Sequence, residues 1–84
     1  MKSERNLICR YEKKIEDGKL VESDEYVECY EVVITLDNGK QLFPCYEVKA
    51  MWGEWLREWD FESKAEAILR GVNAVIDEGW VRVR

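Results

Sequence analysis

Apolar residues recur at every second position through much of the first 45 residues, and two glycine-containing turns cut that alternation into strands. Leu7, Cys9, Tyr11 and Ile15 fall on one face, with Arg10, Glu12 and Lys14 on the other, which is the period of a half-buried strand. Glu16-Asp17-Gly18-Lys19 follows, and Asp-Gly tolerates the positive φ that a tight hairpin needs. Beyond the polar break Glu22-Ser23-Asp24, a longer strand is expected over about Tyr26–Leu36, with Tyr30, Val32, Ile34 and Leu36 sharing a face. Asp37-Asn38-Gly39-Lys40 is the strongest hairpin signal in the chain. A third strand is expected over Gln41–Cys45, at an edge or at its own end, because Pro44 cannot donate to a ladder.

The period then changes. Val48, Met51, Trp52, Trp55, Leu56 and Trp59 match one stripe of a short helix. The alternative is a turn at Gly53-Glu54 followed by a strand from Trp55 to Phe61, and Gly53 is its main support. A longer helix begins at Ser63, where Ser63-Lys64-Ala65-Glu66 forms a capping box. Its expected buried stripe is Ala65, Ile68, Leu69, Val72, Val75 and Ile76, and Gly79 is placed to end it. Trp80-Val81-Arg82-Val83-Arg84 alternates again and reads as a last strand pinned into the sheet. The expected fold class is α+β: an antiparallel sheet, a meander of three strands plus a C-terminal strand, with one long and one short helix in the order βββ(α)αβ.

With 84 residues the chain makes one domain, 1–84. Hydrophobic residues are 46% and charged residues 37%, which separates it from disordered chains. No apolar stretch is long enough for a signal peptide or a membrane span, so a cytoplasmic location is expected. Cys9, Cys29 and Cys45 are odd in number and widely spaced, which is no disulfide framework. Histidine is absent. That removes the commonest partner of a nucleophile and a common metal ligand, so no catalytic residue, metal or cofactor is expected.

Two features are candidates for partner binding. Glu16, Asp17, Glu22, Asp24, Glu25, Glu28 and Glu31 face a single base, Lys19, within one segment. A net charge of −5 disfavours direct nucleic-acid binding. The acids could instead occupy a basic, nucleic-acid-binding groove on a protein partner, or form a solvated face that keeps the chain soluble. Trp52, Trp55 and Trp59 form the second candidate, as core or as an interface anchor.

The stretch Asp60-Phe61-Glu62-Ser63-Lys64-Ala65-Glu66-Ala67, with its apolar helix, Gly79 and short strand, looks like the helix–strand end of several small sandwich domains. The Trp-Gly-Arg domain of poly-ADP-ribose polymerases is one of these. Trp52-Gly53 is followed here by Glu54 and not arginine, and no function is carried over. In general character the chain is similar to small accessory proteins of bacteriophages and mobile elements, many of them anti-CRISPR or other anti-defence inhibitors. The leading expectation is a non-enzymatic inhibitor or adaptor acting on a protein partner. One alternative is an oligomer that sequesters a nucleotide-like molecule, with Tyr46, Trp52 or Trp55 stacking on it and Arg57, Lys64 or Arg70 meeting phosphate. The other is a homodimeric structural module paired through an edge near Gln41–Cys45.

Overall fold

The structure, a computed structural model, describes residues 1–53 and 55–84. It is an α+β fold built on one five-stranded antiparallel sheet. The strands are β1 (Lys2–Lys13), β4 (Tyr26–Thr35), β5 (Cys45–Trp52), β6 (Trp55–Phe61) and β7 (Trp80–Arg82), in the spatial order β6-β5-β4-β1-β7. A separate hairpin joins β2 (Ile15–Glu16) to β3 (Lys19–Leu20). Asp17 and Gly18, at φ 53° and 73°, make the mirror-image turn that Asp-Gly favours. The Asn38-Gly39 turn also forms, with Gly39 N–H donating to the Leu36 carbonyl at 2.9 Å. No helix of the described residues is long and apolar enough to cross a membrane.

Several expectations need correction. The short helix over Val48–Trp59 is absent: β5 and β6 form a hairpin around Gly53 (φ 62°), so the turn-and-strand alternative is the one observed. Both readings fit Val48, Trp52, Trp55 and Trp59, spaced by four, three and four. The strand reading wins because Trp52 pairs with Trp55, Val48 with Trp59 and Tyr46 with Phe61. The strand expected over Gln41–Cys45 instead starts at Cys45 and lies inside the sheet between β4 and β6. Pro44 has no N–H to pair, so the ladder begins just after it, and only Gln41 makes an isolated bridge, to Thr35. The edge strand expected there for pairing with a twin is therefore not an edge.

Among the described residues one helix is present, α1, running over residues 64–75. It comprises α-helical Lys64–Glu66, a wider π turn at Ala67–Val72 and α-helical Asn73–Val75. Ser63 Oγ accepts the Glu66 N–H at 3.1 Å, as the capping box requires. The Glu66 carboxylate, however, pairs with Arg70 at 3.5 Å. Within the π turn the Asn73 N–H reaches back five residues to the Ile68 carbonyl. That wider turn rotates the buried stripe: Ala67, Gly71 and Val72 face inward, while Ala65 is exposed and Leu69 is 69% exposed. Gly79 does not cap the helix, which ends four residues earlier. Its carbonyl accepts the N–H groups of Lys14 at 2.8 Å and Ile15 at 3.2 Å, tying the α1–β7 connection to the end of β1.

The core lies between α1 and one sheet face. It consists of Cys9, Val27, Cys29, Val48, Ala50, Ala67 and Val72, with Trp59, Phe61 and Trp80 packed around it. Cys9 and Cys29 are paired across β1 and β4 as free thiols. Burial first, and the neighbouring Cys9 second, push the Cys29 thiol up to about 11 from an ordinary 9.0. A thiol held protonated by the fold stabilises it fully below pH 9.0 and ceases to do so as pH rises through about 11. Across that window urea unfolding should show a loss of about 2 kcal/mol that the Cys29→Val variant lacks. Equal pH dependence in both proteins would refute the assignment.

Candidate functional site

The seven acids expected to form one charged surface are divided by the sheet. Glu28 faces away from the helix beside Arg10, whose guanidinium lies 3.1 Å from it and 2.8 Å from Glu12. Burial alone would lower the Arg10 pKa, but its hydrogen bonds to Glu12 and Glu28 outweigh that and raise it. Those contacts, Arg10 first and Lys14 second, hold Glu12 below the usual carboxylate range. Arg10 also stacks over the Tyr26 ring at 4.4 Å. Glu28 is thus part of a half-buried lattice, its side chain only 13% exposed. Replacing it would take away one of the two carboxylates that hold Arg10 and act on folding before binding. Glu31 sits mid-strand between Asn6 and Tyr46, away from the other acids.

Glu16, Asp17, Glu22 and Asp24 are exposed, and among the described residues they make no ion pair. All four lie beyond the C-terminal end of β1, on the β2–β3 hairpin and the segment leading into β4. Glu16 and Asp17 line a cleft of about 590 Å³ with Asp77 and Glu78 from the α1–β7 connection, and Lys13 lies at its wall. Nothing in the spacing of Asp77 and Glu78 from the hairpin foretold this meeting. It follows from Gly79 docking against Ile15.

Glu25 joins the acids to the tryptophans. Its backbone N–H donates to Ser23 Oγ at 3.0 Å, and its carboxylate accepts the Gly53 N–H at 3.0 Å and sits 3.8 Å from Lys13 Nζ. The loop carrying Glu22 and Asp24 is thereby fastened to the β5–β6 turn. Trp52, at that turn, is 51% exposed. Trp59 is half-buried against the core beside Val48. The side chain of Trp55, and Glu54 altogether, lie outside the described residues. One exposed indole therefore stands at the turn that the Glu25 carboxylate holds.

At the opposite end of the sheet, Tyr46, Ser63 and Lys64 share a concavity of about 630 Å³ with Phe43, Cys45 and Glu62. This brings together part of the set considered for nucleotide stacking and phosphate contact. Trp52 and Arg57 are not in it, Arg70 is paired with Glu66, and the Glu62 carboxylate opposes an anion there. Among the described residues no three acids or cysteines are grouped to hold a metal ion. No family model matches the chain, and no curated protein and no solved structure matches it either.

Proposed function

We propose that this chain is a non-enzymatic interaction protein whose acidic end binds a basic surface on a protein partner, with Trp52 as its anchor. One observation carries the reading: Glu25, at the end of the segment that carries the unpaired Glu22 and Asp24, bonds to the turn bearing the exposed Trp52. Unpaired carboxylates steer a cationic partner and fix its orientation, while an indole supplies the desolvated contact that holds it. A partner groove that otherwise takes nucleic acid fits this chemistry, and filling the groove would inhibit it, as accessory proteins of bacteriophages do. The reducing cytoplasm is the setting in which three free cysteines persist.

The test is affinity capture from cells carrying defence systems, followed by competition on the retained protein. Duplex DNA and the chain should displace each other. A retained protein that binds both at once would contradict groove occupation.

A further inference from the structure

The strongest apolar alternation in the sequence faces away from the core. The core residues of β4 are Val27 and Cys29, so Tyr30, Val32 and Ile34 point to the opposite side of the sheet from α1. An irregularity at Ile8, between Leu7 and Cys9, turns Leu7 to that side as well, where it pairs with Tyr30. Cys45 pairs with Val32, and Leu42 lies beside Ile34 through a backbone hydrogen bond of 3.0 Å. These residues form an apolar patch on a ribbon that reaches past the end of the helix. Phe43, fully exposed, stands at its rim.

The dimensions agree with an uncovered layer. The molecule measures 53 × 21 × 20 Å, with a radius of gyration of 14.8 Å, where about 12 Å is usual for its length. Its accessible surface is 6248 Å², against about 5,200 Å² for a compact monomer of its mass. The surplus, about 1,000 Å², is close to the roughly 800 Å² that each partner buries in a standard interface.

We infer that this open face is a dimer interface between two copies of the chain, packed sheet on sheet in antiparallel fashion about a two-fold axis. The patch is self-complementary. On it Arg5 and Glu47 pair, 2.5 Å apart, with Arg5 stacked 4.5 Å over Tyr30. A two-fold stack sets each of these against its opposite in the twin. Charges of both signs lie on this face, Arg5 and Arg10 paired with Glu47 and Glu28, so neither a strongly basic nor a strongly acidic partner is favoured. The unpaired acids lie at the other end of the long axis, so antiparallel copies keep them much farther apart than the screening length of about 8 Å. The inference does not depend on the acidic end binding anything.

Sedimentation equilibrium of the full chain from about 1 to about 100 µM tests it. The expected mass climbs with concentration to twice 10.0 kDa, and Ile34→Arg holds it at the single value with an unchanged circular dichroism spectrum. Should the arginine variant fail to fold, Val32→Thr/Ile34→Thr keeps both side chains β-branched and should weaken association at least about tenfold. A parent that stays monomeric throughout hands this face to some other partner and overturns the proposal. So does a dimer that keeps its affinity in the threonine variant, or one dissociated by Glu22→Gln/Asp24→Gln instead.

Discussion

Gly71→Val is expected to lower stability by about 3 kcal/mol or more, enough to unfold a domain of this size at moderate temperature. Gly71 is buried in the π turn of α1, where the helix backbone lies almost on the sheet. A Cβ there would sit 2.6 Å from Val48 Cγ2 and 2.7 Å from the Phe61 ring. Both neighbours are held in the core, so the helix must lift. Gly71→Ala should cost less, about 1 kcal/mol, because the gain in helix propensity offsets part of the overpacking. Denaturant midpoints with unchanged slopes would report both. A valine variant as stable as the parent would show that α1 does not pack this closely.

How much of this was legible in the sequence depended on whether a feature was local. Asp17-Gly18, Asn38-Gly39 and the Ser63 cap were readable because each turn or cap is determined by the residues that make it. The C-terminal strand was readable too, since Trp80–Arg82 alternates and pairs with Tyr11–Lys13. The hairpin at Gly53 was obscured because two strands reversed by a tight turn place Val48, Trp52, Trp55 and Trp59 at helical spacing. The alternation of Tyr46, Val48 and Ala50 against Glu47 and Lys49 was the signal that could have decided it. The helix face was misphased because a π turn leaves no mark that a 3.6-residue period can detect. The core face of β1 and β4 was misassigned for a similar reason. A single extra residue near Ile8 moves Leu7 to the other side, and alternation alone does not say which face a helix will cover. At the candidate site the acids and the tryptophans were each visible. That Glu25 would tie them together depended on long-range pairing and was not.

Trp52→Ala should reduce affinity for the captured partner at least tenfold, about 2 kcal/mol when a central indole is lost from an interface. Its effect on stability should stay within about 1 kcal/mol, because the side chain is half exposed and lies outside the core. Trp59→Ala should do the reverse, costing about 3 kcal/mol of stability through the cavity it opens beside Val48. Titration calorimetry together with urea unfolding of both variants separates the roles. Affinity retained in a folded Trp52→Ala protein would remove the anchor from the account.

The salt dependence of that binding is the most direct test of the acidic end. Removing two unpaired charges with Glu22→Gln/Asp24→Gln should weaken the complex and flatten the dependence of log Kd on log salt by about a third. Glu31→Gln, set mid-strand between Asn6 and Tyr46, should leave the slope where it was. Identical slopes for the parent and the double variant would mean that Glu22 and Asp24 do not meet the partner.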